Sequence, residues 1–193
     1  MSTAKTERPE LLSRPKRADA RRNYEQLIAA AREAFTEADR SASLEEIARR
    51  AGVGIGTLYR HFPTRTDLIQ AVYVDEVEAL AESAEAVAND EPWDALIRWL
   101  HGFVGYIATK QALAEELFAV ADHNAEVFRN SRAALRAAGE PLVARAQAAG
   151  EVRPDANIDD IIRMVGAIAK MPANEPGEIE RVLDIALDGL RTR

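Results

Sequence analysis

The stretch SLEEIARRAGVGIGTLYRHF, residues 43–62, decides the fold. It carries two short helical patterns joined by a glycine-containing turn. Leu44, Ile47 and Ala48 share one face of the first pattern, and Ala48 is small enough for a second helix to approach closely. Ser43 and Glu46 have the spacing of a capping box, so Ser43 is the expected N-cap. Gly52 supplies the positive φ that the turn needs. Val53 and Leu58 plug the angle between the two helices, and Phe62 closes it from beyond. Two short helices in this arrangement are a helix-turn-helix, a unit whose second helix can enter the DNA major groove. With the inner positions assigned, Ile55, Gly56, Thr57, Tyr59, Arg60 and His61 are left facing outward. Thr57 and Tyr59 can bond a phosphate or a base edge, and Arg60 and His61 suit phosphates. Ser43 and Arg65 complete the candidate DNA-contacting set. Arg65 sits on the first turn of the next helix, where backbone amides also favour anions.

Outward from this stretch the chain reads as helix throughout, with no strand-like alternation, so the expected class is all-α with about nine helices. Upstream, Tyr24, Leu27, Ile28, Ala31, Ala34 and Phe35 line one face of a helix from about Ala18 to Ala38. Residues 1–17, with Arg14, Lys16 and Arg17 near their end, read as a flexible basic arm. In the basic stretch from Arg14 to Arg22, Arg17 and Arg21 are the candidates for contact with the DNA backbone or minor groove. Downstream, Pro63 stops the third helix, and Thr64 with Asp67 forms a second capping box. That box opens a long helix through Leu68, Ile69, Val72, Tyr73, Val77 and Leu80. Asn89-Asp90-Glu91-Pro92 is a cap-and-proline start signal. Further helices are expected near 92–108, 111–120, 125–149, 157–170 and 177–190, with Asn157 capping the fourth of these and Pro141 breaking or kinking the third. The expected division is an arm over 1–17, a DNA-binding helix-turn-helix domain over 18–65, and a larger helical domain over 66–193.

Composition narrows the classes. The 193 residues are 47% hydrophobic and 30% charged, enough apolar content to bury a core. There is no cysteine, which excludes disulfides, thiolate metal sites and Cys nucleophiles. No apolar run approaches the ~18 residues of a membrane span, and the polar, basic start has no apolar signal region, so a cytoplasmic protein is expected. The net charge of −7 hides a split: residues 1–65 carry a net +4 and residues 66–193 a net −11. A basic head on an acidic body is compatible with DNA binding, which needs only local positive charge.

The window 57–73, TLYRHFPTRTDLIQAVY, resembles the TetR/AcrR-type bacterial transcriptional regulators. Tyr59, Phe62, Thr64 and Leu68 sit on that family's pattern, with Arg65 where a lysine is usual and Gly54 where Ser or Thr usually caps the recognition helix. The likeness is specific over residues 18–75 and weaker over 146–165. It implies an Ω-shaped homodimer whose small N-terminal domain binds a palindromic double-stranded operator. It also implies a larger domain that dimerises and takes a small-molecule effector, whose binding releases a repressor from DNA. Gly54 has no side-chain acceptor, and Ile55 and Gly56 offer few polar groups, so base reading should lean on contact and shape.

In the body, a pocket is expected between the long helices, with Trp99, Phe103, Tyr106, Phe118, His123 and Met164 as candidates. The last two helices read as the dimer interface: Ile161, Ile162, Val165 and Ile168 on one, Ile179, Leu183, Ala186 and Leu190 on the other. No catalytic residue, cofactor or metal site is expected. His61, His101 and His123 lack metal-ligand spacing, and the adjacent Glu115 and Glu116 diverge on a helix. The alternatives are an enzyme, against which the missing nucleophile triads and phosphate loops argue, or a helical ligand carrier. A carrier would not need an exposed Tyr-Arg-His face. An activator using the same DNA mode is a further alternative, which sequence does not separate from a repressor.

Overall fold

The computed structural model describes residues 14–36, 42–113 and 121–192, with side chains described from residue 126 onward in the last segment. Among the described residues there are eight α-helices and no strand. They are α1 (Ala18–Thr36), α2 (Leu44–Arg50), α3 (Ile55–His61), α4 (Arg65–Ala86), α5 (Pro92–Ala112), α6 (Ala121–Ala148), α7 (Ile158–Ile168) and α8 (Glu178–Asp188). The all-α reading holds. The helix expected over 111–120 differs: residues 111–112 close α5, and 114–120 lie outside the described residues.

Local chemistry sets the helix starts. Thr64 and Asp67 form the full reciprocal box at the head of α4, with Asp67 N donating to Thr64 Oγ1 at 3.1 Å and Thr64 N donating to Asp67 Oδ2 at 2.9 Å. Asn157 caps α7 by accepting from Asp160 N at 2.9 Å. Ser43 caps α2 by accepting from Glu46 N at 3.2 Å, yet the reciprocal half of the expected box is missing. The Glu46 carboxylate turns instead to Arg49 and Arg50, each at 2.8 Å. Three charge-assisted bonds hold it more strongly than one backbone N–H would.

One continuous apolar core runs from Tyr24 in α1 to Leu190 past α8. Helix α4 is its axis, packing on α1 at its start and on α5 and α6 along its length. It buries Leu68, Ile69, Val72, Tyr73, Val77 and Leu80, the stripe the sequence predicts, together with Ala71, Val74, Ala81 and Ala84. A helix buried on several sides fits an element shared by the head and the body.

Of the break or kink expected at Pro141, the break does not occur, since helix α6 runs through it. Proline removes one backbone donor and crowds the preceding turn. Tertiary packing outweighs that cost here, because Leu135, Ala138, Leu142, Val143 and Ala146 are all buried. Two residues before the proline, Gly139 packs closely against the Trp99 ring of α5 and Ile158 of α7. A Cβ there would stand 2.6 Å from Trp99 Cη2 and 2.6 Å from Ile158 Cδ1. The indole is fixed from its other edge, where Trp99 Nε1 donates to Leu80 O of α4 at 3.0 Å. The chain end is tied back by an antiparallel bridge between Val152 and Arg191, with Arg153 N donating to Leu190 O at 2.9 Å.

The substitution Gly139→Ala is therefore expected to overpack the meeting of α5, α6 and α7 and to destabilise the fold by about 1–3 kcal/mol. Urea denaturation followed by circular dichroism reads this directly. An unchanged midpoint would mean that Trp99 yields without cost.

Candidate nucleic-acid interface

The turn between α2 and α3 is built by backbone bonds. Gly52 adopts φ +66°, Gly52 N donates to Arg49 O at 3.1 Å, and Val53 N donates to Ala48 O at 3.0 Å. This pair is a Schellman stop, which satisfies the last carbonyls of α2 and swings the chain into α3. Gly54 caps α3 without a side-chain bond, as its identity requires. The inner residues Ile47, Ala48, Leu58 and Phe62 are buried, while Val53 is partly buried against them.

What remains outward is the set that the sequence analysis singles out. Ile55, Gly56, Tyr59 and Arg60 are exposed, and Thr57 and His61 are half-buried. Ile55 is 38% and Tyr59 45% exposed, and the only other large apolar side chain so exposed among the described residues is Ile185 on α8. Leaving an aromatic and a β-branched side chain in water at adjoining positions makes sense on a surface that meets a partner. Arg17 and Arg21 are exposed on and just before the first turn of α1.

Three candidates have more defined surroundings than the sequence suggests. Ser43 spends its hydroxyl on the cap of α2. The Arg65 guanidinium donates to Ala42 O at 2.7 Å and lies 4.8 Å over the Phe35 ring, so it ties the start of α4 to α1 and to the segment entering α2. The His61 ring packs 6.1 Å from Tyr24, edge to face. Burial, and secondarily the charge of Arg60, hold its pKa below the ordinary histidine value. The ring is thus neutral at pH 7 and brings no charge to the surface.

Arg14 and Arg32 join the head to α4. Arg14 reaches Asp75 at 3.0 Å and Glu78 at 2.5 Å, and Arg32 reaches Asp75 at 2.6 Å and also pairs with Glu76. Arg14, expected within a flexible arm, is anchored. Sequence reasoning missed this cluster because the paired residues lie more than 40 positions apart.

In the body, Trp99, Phe103 and Tyr106 form a buried ladder along α5, with ring centroids 6.2 Å and 5.5 Å apart in turn. Tyr73 of α4 and Phe128 of α6, not singled out from sequence, extend it: Tyr73 is 6.2 Å from Tyr106 and 5.3 Å from Phe128. Met164 is partly buried against the same core. Phe118 and the His123 side chain lie outside what is described. An open cleft of about 420 Å³ lies elsewhere, between α5, α7 and α8, lined by His101, Val104, Gly105, Ala108, Ile179 and Leu183 among others. Of the candidate dimer residues, Ile161, Val165, Leu183 and Leu190 are buried inside their own protomer, whereas Ile162, Ile168, Ile179 and Ala186 are half-buried. Ile185, 68% exposed, was not among the candidates.

An all-α chain with a helix-turn-helix head carried on a larger helical body is the architecture of a DNA-binding transcriptional regulator. Residues 27–72 match the family model described as bacterial regulatory proteins of the tetR family, and residues 91–192 match that of the SbtR-like transcriptional regulator C-terminal domain. A TetR transcriptional regulator from Streptomyces coelicolor is 38% identical, covering 87% of this chain and 98% of its own, with a TM-score of 0.77. A TetR regulatory protein from Mycobacterium vanbaalenii is 34% identical over 92% of this chain and 100% of its own, with a TM-score of 0.75. The transcriptional regulator UidR of Escherichia coli is 29% identical over 136 residues, 68% of this chain and 69% of its own. The chain belongs to the TetR family of transcriptional regulators, which are not enzymes. No helix among the described residues is long and apolar enough to cross a membrane.

The lowered pKa of His61 fixes a sign. Between that pKa and the unfolded value of about 6.5, the unfolded chain binds more protons than the folded one, so stability rises with pH through this window. The wild-type melting temperature is expected to fall on acidification from pH 7 through that window, and His61→Gln to flatten this portion of the curve. Equal slopes for the two proteins would show that His61 is as easily protonated folded as unfolded.

Proposed function

We propose that the protein is a ligand-responsive repressor that binds a palindromic operator as a homodimer and leaves it when a small-molecule effector occupies the body. The observation that supports this best is where the exposed apolar side chains fall. Ile55 and Tyr59 lie on the outer face of α3, and Ile185 lies on α8. One surface suits DNA and the other a second copy of the chain.

In this reading residues 18–65 are the DNA-reading unit and residues 66–193 the effector and dimer unit. Helix α3 lies in the major groove. Thr57 and Tyr59 meet bases or phosphates there, Ile55 and Gly56 allow close approach, and Arg60 neutralises the backbone. Arg17 and Arg21 extend the cationic surface from α1, while Arg65 and Ser43 hold the helix starts in register. The interface uses the outward residues of α7 and α8, namely Ile162, Ile168, Ile179, Ile185 and Ala186, over the buried support of Ile161, Val165, Leu183 and Leu190. A two-fold pair of such helices makes a four-helix seam, and it sets two α3 helices one DNA turn apart, about 34 Å.

Release follows from two-state linkage. Helix α4 begins beside α3 and ends inside the body, so a ligand that favours a different seat for α4 changes the spacing of the two heads. A coupling of ~1–3 kcal/mol is the usual scale of such an effect.

These assignments separate experimentally once an operator is selected from random duplexes. Arg60→Ala is expected to weaken binding to all sequences and to lower the slope of log affinity against log salt by about one. Tyr59→Ala is expected to relax base preference, with a loss of about 1–3 kcal/mol at the positions it reads. If Tyr59→Ala left both affinity and preference untouched, α3 would not be the recognition helix. For the interface, Ile185→Asp is expected to move the protein from dimer to monomer in sedimentation at micromolar concentration. A dimer unaffected by that charge would place the seam elsewhere.

A further inference from the structure

Residues 66–193 carry a net charge of −11, so cations there should find carboxylates easily. Many do: Arg98 pairs with Asp90, Arg153 with Asp155, Arg163 with Asp160 and Arg181 with Glu175. Three cations at the joint of α5, α6 and α7 do not. Lys110, Arg132 and Lys170 enter no ion pair among the described residues, yet Arg132 and Lys170 are close enough to act on the charge of Lys110. Burial pushes the Lys110 ammonium below the usual lysine value, and Lys170 and Arg132 push it the same way. Its Nζ lies 5.7 Å from the Tyr73 ring centre and 5.9 Å from that of Tyr106. Two aromatic faces partly compensate a half-buried cation, but they do not neutralise it.

The polar groups beneath are also donors without acceptors. Tyr73 and Tyr106 share one hydrogen bond at 3.2 Å, which uses one hydroxyl hydrogen and leaves the other. Burial first, then Tyr73, raises the Tyr106 pKa, so the Tyr106 hydroxyl stays protonated. On α6, Ser131 is fully buried and its hydroxyl has no partner. It lies one helical turn from Phe128, which packs on Tyr73. Among the described residues, an orphaned hydroxyl, a hydroxyl hydrogen left over, a half-buried ammonium and two rim cations make a local excess of donors and positive charge. Each member is costly alone, and one acceptor-rich anion satisfies them together. The flanking rings of Tyr73, Tyr106 and Phe128 supply the apolar wall for the rest of such a molecule.

We propose that Lys110, Arg132 and Lys170, with the hydroxyls of Tyr73, Tyr106 and Ser131, form the head-group site for the effector, an organic anion with an aromatic or apolar body. This rests on the effector-responsive reading above and adds the chemical class of the ligand. It also names the contact through which the ligand acts on α4, since Tyr73 belongs to that helix.

The test uses the full-length protein and a matched pair of fluorescent probes, the aromatic sulfonate 8-anilinonaphthalene-1-sulfonate and the uncharged N-phenyl-1-naphthylamine. The sulfonate is expected to bind saturably at one molecule per chain and more tightly than the neutral probe. Lys110→Met is expected to weaken the sulfonate roughly tenfold or more, the scale of a charge-assisted bond, while leaving the neutral probe unchanged. Lys110→Arg should retain most of the affinity. Arg132→Gln, on an exposed position that carries no packing, should weaken the sulfonate alone and guards against a misfolded Lys110 variant. Displacement by 2-naphthoate at lower concentration than by inorganic phosphate marks an organic rather than a free inorganic anion, and the reverse order would overturn the stated class. No sulfonate binding, equal affinity for both probes, or Lys110→Met and Arg132→Gln proteins that bind the sulfonate as wild type does would also overturn it. None of these readings involves DNA. A ligand-free protein that selects no DNA sequence would therefore sink the repressor reading without touching the probe result, and the converse also holds.

Discussion

Helix α4 cannot shift without disturbing both halves of the molecule, and most other features depend on how it is held. Its first turn is locked by the reciprocal bonds of Thr64 and Asp67. Arg65 on that turn reaches back to Ala42 and Phe35. Two to three turns further along, Asp75, Glu76 and Glu78 hold Arg14 and Arg32. Just before them Tyr73 faces the aromatic ladder, and just after them Leu80 offers its carbonyl to Trp99. Caps, ion pairs and apolar packing all converge on one rigid rod. Packed elements of this kind have discrete seats rather than continuous ones, which a two-state regulator requires.

Charge is partitioned to the same end. On the head, Glu46 is drawn down to a pKa of about 2 by its bonds to Arg49 and Arg50, so two cations of α2 are already committed within the protein. Arg17, Arg21 and Arg60 enter no ion pair among the described residues and remain available to phosphates. In the proposed DNA-bound arrangement, the acidic body keeps the duplex to the basic head. Pairing inside the protein and availability at its surface thus fall on different arginines.

The parts of the fold written in short-range chemistry were legible from sequence. Thr64 with Asp67, Asn157 with Asp160, and Gly52 at the turn each act within a few residues, so spacing alone reveals them. The helix-turn-helix face followed because Leu58 and Phe62 must point inward, which leaves Tyr59 and Arg60 outside. Features made by residues distant in the chain were not legible. Nothing near Gly139 says that Trp99 lies against it, and Pro141 two residues later argues locally for a break that the packing of α6 overrides. Tyr73 and Phe128 read as ordinary core residues until α4 and α6 bring them to Tyr106. The apolar periodicity of the last two helices located an amphipathic pair correctly, but it did not separate Ile161 and Leu183, which serve their own core, from Ile185, which does not.

The central claim is that this head reads DNA sequence as part of a dimer. Fluorescence anisotropy on duplex DNA flanking the protein's own gene, against a scrambled duplex of equal length and across a salt series, tests it most directly. The account predicts saturation at two chains per operator half-site pair, a preference of about a thousandfold or more over the scrambled duplex, and a steep salt slope. Equal, weak binding to both duplexes, together with failure to enrich any sequence from a random pool, would contradict it.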